Sequence, residues 1–427
     1  MTYKQALNYL YGLQKYGVKF GLSKTSNIMK KMGNPHKGQK YIHIAGTNGK
    51  GSVSAMVESV LIRSGLKVGF YSSPHLVSFT ERFRINRKEI SKKKVGELTE
   101  EIKDIINPKE PPTYFEATTA MALAYFAREN TDIAIMEVGM GGRLDATNII
   151  KPLVSAITNI SLEHQIFLGN TLMDIAVEKA GIIKKDVNTI TAATQPAVTG
   201  LFRDICMERN APFFQVGKDV RYRDSESGLN YYGLTRKIKN INLRLRGSFQ
   251  HRNAALAIGM LELLEKKGYT FDDELIKKGV EETTWMGRVQ VLSERPLVVV
   301  DGAHNPGAAE VLAKAVKKDF SYSRLILVLG VMMDKDIKNI VKEIAGMADH
   351  IICSNPEYYR SASPEDLHRV VSAYSRRCEI IKSLPVAIAK AKKLAKPDDM
   401  ILITGSLFTV GEALTVIDPV KYKPDGI

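Results

Sequence analysis

A glycine-rich turn near the start of the chain contains the residues best suited to bind phosphate groups. Residues 46–52 read Gly-Thr-Asn-Gly-Lys-Gly-Ser, follow an apolar run at 41–45 that predicts a strand, and lead into a helical pattern. In such a context backbone N–H groups converge on phosphate oxygens, Lys50 adds a positive charge, and Ser52 can reach a magnesium ion. The segment therefore predicts a site for nucleotide phosphates.

This turn departs from the usual G-x-x-x-x-G-K-[ST] form. Ala45 stands near the position of the first glycine, and Gly51 separates Lys50 from Ser52. The departures favour a variant loop over that of a common kinase or GTPase. A glycine-rich turn without a ligand is the alternative.

Two further polar side chains follow buried-strand patterns. Glu137 lies near the end of the run 132–138, and His164 comes after the run 153–159. Ligands of open α/β sheets lie beyond the carboxyl ends of the strands, so both residues are placed to hold magnesium near the phosphates. A carboxylate that caps a glycine turn and a structural histidine are the alternatives. From composition alone, Lys179 is equally compatible with a surface lysine.

Apolar runs of strand length alternate with helical patterns along most of the chain, which predicts an α/β fold with parallel sheets. The first series of predicted strands is 41–45, 67–71, 132–138, 153–159 and 189–193. The second series is 297–300, 325–329, 350–353, 379–381 and 400–404. Between them, the polar stretch 213–245 predicts a small antiparallel excursion, and a helix is expected at 253–267.

The second series begins near Pro296, after a segment Trp285-Met286-Gly287-Arg288 that is a plausible hinge. We therefore predict two domains. Residues 1–289 would form a large N-terminal ATP-binding domain with a phosphate loop and a parallel sheet. Residues 290–427 would form a smaller C-terminal Rossmann-like α/β domain.

The composition is that of a globular protein with excess positive charge. The 427 residues include 61 Lys and Arg against 46 Asp and Glu, a formal charge of +15. This excess fits nucleic acid, small polyanions or a solvated lysine-rich surface. Aromatic residues do not interleave with the lysine runs, which disfavours nucleic acid. Three scattered cysteines, no signal-peptide pattern and no apolar run of about 20 residues predict a reducing, cytoplasmic setting.

Several motifs, in order along the chain, resemble those of the folylpolyglutamate synthase family, including its bifunctional dihydrofolate synthase form, within the Mur ligase-like superfamily. The motifs are His-Ile-Ala-Gly-Thr-Asn-Gly-Lys-Gly-Ser at 43–52, Ser-Ser-Pro-His-Leu at 72–76, Glu-Val-Gly-Met-Gly-Gly-Arg-Leu-Asp-Ala-Thr-Asn at 137–148, Glu-Lys-Ala-Gly-Ile at 178–182, Asp-Gly-Ala-His-Asn-Pro at 301–306 and Thr-Gly-Ser-Leu-Phe at 404–408. The resemblance thus covers nearly the whole chain.

The resemblance implies an acid–amino-acid ligase that uses MgATP to join L-glutamate to a folate carboxylate. The acceptor would be tetrahydrofolate, and we expect dihydropteroate as well. ATP would phosphorylate the carboxylate, whose oxygen becomes part of a leaving group, and the glutamate amine would displace phosphate. The resemblance also implies two Mg²⁺ sites, K⁺ as a further candidate cation, and a cytoplasmic monomer without nucleic-acid or membrane partners.

Individual roles follow from the same resemblance. Lys50, Lys179 and His164 would be catalytic. The nucleotide would contact Asn48, Gly49, Lys50, Gly51, Ser52, Asn253, Arg288, Asp301 and His304. Magnesium would be held by Ser52, Ser73, Glu137, His164 and Lys179. The folate would contact Ser72, Pro74, His75, Phe79 and Arg84. Lys179 would act as a carbamate, because an ammonium repels a cation whereas a carbamate offers it an anionic oxygen.

Two positions depart from the family pattern: Glu163 replaces the usual aspartate before the histidine, and Met286 replaces the hinge proline. Other functions also stay open. A Mur-type ligase acting on a cell-wall nucleotide peptide would share the phosphate loop, Glu137, His164 and Lys179, although segments 72–76 and 301–306 favour folate. A basic nucleic-acid-binding ATPase and a non-catalytic nucleotide sensor are the remaining alternatives.

Overall fold

The strands in the part of the chain that the structure describes form three sheets. A computed structural model describes residues 1–17, 19–225, 227–375 and 377–426. The strands are β1 (Tyr41–Ala45), β2 (Val68–Tyr71), β3 (Phe83–Ile85), β4 (Lys88–Glu89), β5 (Ile133–Glu137), β6 (Val154–Ile157), β7 (Asn188–Thr191), β8 (Phe213–Gln215), β9 (Arg221–Ser225), β10 (Gly228–Tyr232), β11 (Lys237–Ile241), β12 (Gln290–Glu294), β13 (Leu297–Asp301), β14 (Leu325–Leu329), β15 (His350–Asn355), β16 (Cys378–Ser383) and β17 (Met400–Thr404).

The α-helices cover the faces of the sheets. They are α1 (Tyr3–Gly12), α2 (Ser23–Lys31), α3 (Lys50–Arg63), α4 (Lys92–Ile105), α5 (Tyr114–Arg128), α6 (Gln165–Leu168), α7 (Leu172–Ala180), α8 (Pro196–Glu208), α9 (Phe249–Glu265), α10 (Asp273–Glu281), α11 (Pro306–Asp319), α12 (Ile337–Ile344), α13 (Pro364–Val371), α14 (Leu384–Leu394) and α15 (Leu407–Ile417). None of the helices in the described ranges is both long and apolar enough to cross a membrane.

The first sheet has eight strands in the order β4-β3-β2-β5-β1-β6-β7-β8. The pairs β2–β3 and β3–β4 are antiparallel and the others are parallel. Every residue of β1 and β5 is buried, because helices cover both faces of a parallel sheet. Helices α3, α9 and α10 supply the core on one face, whereas α1, α2, α4 and α5 supply it on the other.

The second sheet is the small antiparallel excursion expected at 213–245. It consists of β9, β10 and β11, with β10 in the middle. The expectation is confirmed except at its start, because β8 pairs in parallel with β7 and so extends the first sheet. The helix that follows, α9, begins four residues earlier than predicted, and it carries both Gln250 and Asn253.

The third sheet has six strands in the order β12-β13-β17-β14-β15-β16, and only β12 runs antiparallel to its neighbour. Two apolar clusters cover its two faces. The predicted fold class, a large N-terminal parallel-sheet domain followed by a C-terminal α/β sheet domain, is therefore confirmed. The third sheet begins at Gln290, while the division of the chain at 289/290 into separate domains stays a prediction.

Candidate active site

A cavity of about 970 Å³ lies where the first and third sheets face each other. Its walls come from the loops that follow β1, β5 and β6 on one side and β13, β14 and β17 on the other. Both sheets thus present the carboxyl ends of their parallel strands to the same space, where ligands of open α/β sheets bind.

The phosphate loop is shaped by a left-handed residue directly before α3. Gly49 has φ of 88° and caps the helix, and a Cβ atom at this position would lie 2.8 Å from Oδ1 of Asn253. A side chain is therefore disfavoured both by the backbone conformation and by the neighbour. Gly51 lies against Trp285, since a Cβ there would come within 2.6 Å of the indole Nε1.

Hydrogen bonds from the end of β6 hold the loop in place. The Asn48 N–H donates to Oδ1 of Asn159 at 2.7 Å, and the Thr158 hydroxyl donates to the Asn48 carbonyl at 2.6 Å. The Lys50 ammonium folds back over the loop and donates to the Gly46 carbonyl at 3.0 Å. The loop is therefore preformed, with a mobile cation above it, which is the arrangement expected at a phosphate site.

Helix α9 closes the other side of the loop with two amides. Gln250 donates to the Ser52 hydroxyl at 3.4 Å, and Asn253 donates to Oε1 of Gln250 at 2.9 Å. Ser52 and Asn253 both line the cavity. The structure thus brings together the residues that the sequence assigned to the nucleotide on the N-terminal side.

Glu137 is a buried carboxylate at the cavity wall, at the end of β5. Burial raises its pKa to about 7, although the positive charges of Lys50 and Arg288 and the Ser73 N–H lower it. None of the ion pairs found among the described residues involves Glu137. A buried carboxylate of this kind is suited to bind a cation that compensates its charge.

His164 and Glu163 lie next to each other after β6. His164 has φ of 52°, and burial lowers the pKa of its imidazole to about 4 even though Glu163 acts in the opposite direction. A neutral imidazole is the form that binds a metal. Burial would raise the pKa of Glu163, but the charge and hydrogen bond of His304, with further attraction from His164, hold it well below the usual range.

Lys179 lies under the phosphate loop rather than on the surface. Its side chain is buried, and its Nζ donates to the Gly46 carbonyl at 3.0 Å. Burial, reinforced by the charge of Lys50, lowers the pKa of this amine to about 7. Near neutral pH the Lys179 amine is therefore uncharged in a large fraction of the molecules. Because the side chain is buried, the alternative of a surface lysine does not hold.

The hinge brings charged residues from 285–301 to the cavity. Arg288 and Asp301 both line its wall. The two carboxylate oxygens of Asp301 accept hydrogen bonds from the backbone N–H groups of Val289, at 2.9 Å, and Ala303, at 2.8 Å. Asp301 therefore joins the segment before β12 to the loop that follows β13. It also faces the predicted nucleotide site.

Two polar contacts join the C-terminal domain to the loop region. Asn305, which caps α11, exchanges hydrogen bonds with Asn48 at 2.9 and 3.2 Å. His304 uses its Nε2 to contact Glu163 at 2.7 Å, and Lys335 lies 4.0 Å from the same carboxylate. Both domains are therefore needed to complete the site.

The residues that were predicted to contact a folate are placed differently by the structure, and their role stays a prediction. Pro74 lines the cavity, as does the predicted metal ligand Ser73, whereas Ser72, His75, Phe79 and Arg84 are absent from the described wall. Phe79 is buried in the apolar core. Arg84 forms an ion pair with the buried Glu58 at 2.9 Å and lies over the rings of Phe70 and Trp285, so it supports the hinge instead.

Arg82 occupies the position that was expected for Arg84. It lines the cavity, donates from Nε to Nδ1 of His75 at 2.8 Å, and lies 5.2 Å from the ring centre of Tyr114. His75 thus contacts Arg82 and does not itself line the described wall. Arg82 ends a 3-10 turn and Arg84 lies in β3, a difference that the sequence alone does not signal.

Sequence reasoning also missed several other residues of the wall. These are Tyr114, Phe115, Asp145, Asn159, Glu163, Lys335, Arg360 and Phe408. Asn305, which bonds to Asn48, was missed as well, although it is absent from the described wall. Asp145, Asn305 and Phe408 lie inside the family motifs, so membership of a motif was the signal that could have found them. Lys335 and Arg360 lie in loops without such a pattern.

The chain matches two protein-family models. The model described as the Mur ligase middle domain matches residues 44–261, and the model described as the Mur ligase, glutamate ligase domain, matches residues 287–407. The first match alone covers half of the chain.

Curated relatives are similar over almost the whole chain. The dihydrofolate synthase/folylpolyglutamate synthase of Bacillus subtilis is 34% identical, with 96% of this chain and 98% of the relative covered. A probable bifunctional folylpolyglutamate synthase/dihydropteroate synthase of Haloferax volcanii is also 34% identical, over 97% of this chain. The chain spans about half the length of that relative and of its Halobacterium salinarum counterpart, 50% and 52% respectively.

Solved structures have the same fold. Escherichia coli FolC in complex with DHPP and ADP superimposes with a TM-score of 0.91 at 32% identity, with 99% of both chains covered. A bifunctional folylpolyglutamate synthase/dihydrofolate synthase of Yersinia pestis, complexed with AMPPNP and a Mn ion, gives a TM-score of 0.87 at 29% identity, with 98% of both chains covered.

Proposed function

Since the chain belongs to the dihydrofolate synthase/folylpolyglutamate synthase family of the Mur ligases, we propose that it uses ATP to ligate L-glutamate to a folate carboxylate. Tetrahydrofolate and dihydropteroate are the proposed acceptors. One observation carries the proposal: a single cavity brings together a preformed phosphate loop, a buried carboxylate and an arginine-bearing wall from two domains. This arrangement suits a reaction between a nucleotide and two further small molecules.

The nucleotide is proposed to bind with its phosphates over the loop and the N-terminus of α3. Gly49 and Gly51 supply backbone N–H groups, and Lys50 moves from the Gly46 carbonyl to a phosphate oxygen. Arg288 then approaches from the hinge. Phosphoryl transfer depends mainly on such positioning and on stabilisation of charge, which supports this assignment.

The acceptor carboxylate is proposed to lie between the loop and the wall that contains Arg82. One carboxylate oxygen attacks the terminal phosphorus of ATP, the bond to ADP breaks, and an acyl phosphate forms. The α-amine of glutamate, as the free base, then attacks the carbonyl carbon. Phosphate leaves with the carboxylate oxygen, the nitrogen loses a proton, and an amide remains. Enclosure between two domains excludes water, which would otherwise hydrolyse the acyl phosphate.

The donor set of the cavity fits a divalent cation that is shared with a bound nucleotide. Within the described residues no group of three or more His, Cys, Asp or Glu is arranged to hold a metal. The proposed set contains only two such side chains, Glu137 and His164, together with the Ser52 and Ser73 hydroxyls. The buried carboxylate and the two hydroxyls offer the oxygen ligands that Mg²⁺ prefers, and His164, as a neutral imidazole, would be the one nitrogen ligand; the ion would neutralise phosphate charge. We propose two such ions, with K⁺ as a further candidate.

Lys179 is proposed to complete this set as a carbamate. The uncharged amine adds to the carbon of CO₂, a proton is released, and the side chain then ends in an anionic group with two oxygens. The lowered pKa of Lys179 supports the reaction, because only the free amine attacks CO₂.

Two assays separate this proposal from its rivals. The protein should release phosphate only when ATP, glutamate and one of the two acceptors, tetrahydrofolate or dihydropteroate, are present together. Phosphate release no greater than background with both acceptors would refute the folate assignment and favour a cell-wall Mur ligase or a nucleotide sensor. The nucleic-acid-binding ATPase predicts turnover stimulated by DNA and a salt-dependent gel shift, so no shift at moderate salt would end that alternative.

A further inference from the structure

A segment after α15 crosses from the C-terminal domain to the N-terminal domain. Tyr422 is buried in the apolar cluster on one face of the third sheet, and its hydroxyl accepts a hydrogen bond from Gln290 at 2.9 Å. Three residues further along, Asp425 contacts the other domain. Tyr422 thus fixes the segment to the C-terminal domain, while Asp425 contacts the N-terminal domain.

The Asp425 carboxylate accepts three hydrogen bonds from remote positions. Oδ1 accepts from the Tyr3 hydroxyl at 2.7 Å and from the Ser78 hydroxyl at 2.8 Å, whereas Oδ2 accepts from the Phe79 N–H at 2.7 Å. Hydrogen bonds to a charged acceptor are about twice as strong as neutral ones. The carboxylate therefore fastens residues 78–79 to the end of the chain that follows α15.

The segment it holds, which we call the 72–84 loop, is internally rigid around Glu81. The carboxylate of Glu81 accepts hydrogen bonds from the N–H groups of Leu76, Val77 and Ser78, at 2.7 to 2.8 Å. Ser78 in turn caps the 3-10 turn Phe79–Arg82. Residues 76–82 therefore move as one unit, and Asp425 holds that unit from outside.

This unit ends at the cavity. Arg82 is the last residue of the 3-10 turn, and it lines the wall that is proposed for the acceptor. On the opposite side, Leu76 and Val77 pack against the same apolar cluster that contains Tyr422. The 72–84 loop is thus held from both sides, since Phe79 and Phe83 are buried in the N-terminal core while Leu76 and Val77 pack on the C-terminal domain.

We propose that Asp425 is a positioning residue that ties the 72–84 loop, and with it Arg82, to the C-terminal domain. Asp425 is absent from the described cavity wall, yet it sets the position of Arg82, which lines that wall. The packing of the two domains therefore holds the acceptor wall as well as the nucleotide site. The part that concerns acceptor affinity rests on the proposed function, whereas the fastening of the loop does not.

Amide hydrogen exchange tests the fastening without any reaction. In Asp425→Ala the Phe79 amide loses its acceptor, so peptides covering 76–84 should exchange roughly tenfold faster than in the wild type, the scale of one hydrogen bond to a charged group. Tyr3→Phe removes one donor but leaves both contacts to the loop, and it should change exchange in this region much less. Equal exchange in Asp425→Ala and wild type would overturn the proposal.

Kinetics test the positioning. Asp425→Ala should raise the KM for dihydropteroate roughly tenfold while the KM for ATP changes less than twofold, since the loop bears on the acceptor wall. Asp425→Glu should restore part of the acceptor affinity. Asp418→Ala, in the same segment but bonded only within it, is the matched control. An unchanged acceptor KM in Asp425→Ala would refute the positioning role. If the wild type forms no phosphate, the proposed function fails, and the exchange comparison still decides the fastening.

Discussion

Burial sets the charge of the residues around the phosphate loop. Glu137 and Lys179 have ordinary pKa values far apart, yet burial moves both to about 7. Each side chain can therefore lose its charge near neutral pH at small energetic cost. Groups whose pKa values are displaced in opposite directions around one phosphate loop are typical of a functional site.

Lys179 provides the most direct prediction for a single residue. Lys179→Ala should lower turnover by roughly 100-fold or more, because loss of one ligand weakens the binding of the metal and disturbs the ligands that remain. Added bicarbonate should not restore activity, since no amine remains to form a carbamate. Lys185→Ala, which changes an exposed lysine on the same stretch, should retain activity. Activity near the wild-type level in Lys179→Ala would eliminate the carbamate role.

His43 predicts how stability depends on pH. It is fully buried in β1 beside Thr147, and burial lowers its pKa to about 3. Between pH 6.5 and pH 3 the unfolded chain binds a proton here that the folded protein does not, so the free energy of unfolding falls as pH falls through this window. At about pH 4.5 the loss is on the order of 2–3 kcal/mol.

His43→Asn removes the titrating group and keeps a polar side chain of similar size. The melting temperatures of wild type and variant should be compared at about pH 7.5 and about pH 4.5, on either side of the ordinary histidine pKa. Relative to the variant, the wild type should lose several degrees between these two conditions. If the melting temperatures of the two proteins differ by the same amount at both pH values, His43 is protonated in the folded state at the lower pH, contrary to its buried setting.

For Arg82 and Arg84, the sequence alone could not predict which side chain faces the cavity. Arg82 and Arg84 have similar neighbours in the sequence, and Arg84 was chosen as the acceptor contact. Arg84 instead pairs with Glu58, 26 residues earlier, whereas Arg82 faces the cavity. Arg82 ends a 3-10 turn, whereas Arg84 is paired with Phe70 of β2, and local spacing does not encode where the turn ends and the strand pairing begins.

At the scale of the elements, the phosphate loop depends on one backbone conformation. Gly49→Ala would place a side chain at φ of 88° and within 2.8 Å of Asn253, so the loop must shift. Nucleotide affinity should fall at least tenfold, on the order of 1.4 kcal/mol. Trp285, the single tryptophan of the chain, lies against Gly51, and its fluorescence during nucleotide titration is a suitable measurement.

Gly65→Ala is the matched control for this experiment. Gly65 follows the other end of α3 and has φ of 85°, and among the described residues no heavy atom would lie within 4 Å of a Cβ atom at this position. The substitution should cost about 1 kcal/mol of stability through the same backbone strain, with nucleotide affinity unchanged. Equal losses of affinity in both variants would show that general destabilisation, rather than the loop, is responsible.

The central strands were predictable because their apolar runs are buried on both faces. The bounds of β1, β14 and β17 agree with the prediction, and the other predicted strands differ by up to two residues at an end. Strands β3 and β4, which have three and two residues, were not predicted. They are too short to carry a periodic pattern.

At the scale of the whole molecule, both sheets must meet for the site to exist. The motifs predicted which segments take part, and the family assignment followed from their order. They could not predict the contacts between segments, such as Asn48 with Asn305 or Glu163 with His304, because each pair is separated by more than 100 residues. These contacts depend on how the two domains pack.

Asn305→Asp tests whether the domain contact supports nucleotide binding. Aspartate still caps α11, but it cannot donate to Asn48 and it adds a negative charge beside the phosphate loop. Nucleotide affinity should fall about tenfold with little change in melting temperature. Ser363→Asp, an equivalent change at the cap of α13, should leave affinity unaltered. Wild-type affinity in Asn305→Asp would mean that the contact plays no part in binding.

The central claim is that this cavity activates a folate carboxylate by phosphorylation, and the fate of one oxygen atom tests it most directly. Dihydropteroate labelled with ¹⁸O in its carboxylate should be incubated with ATP, glutamate and the enzyme, and the released phosphate analysed by mass spectrometry. An acyl phosphate transfers a carboxylate oxygen to the phosphate, so we predict one ¹⁸O atom in each phosphate formed with the amide. Amide formation with unlabelled phosphate would contradict the account.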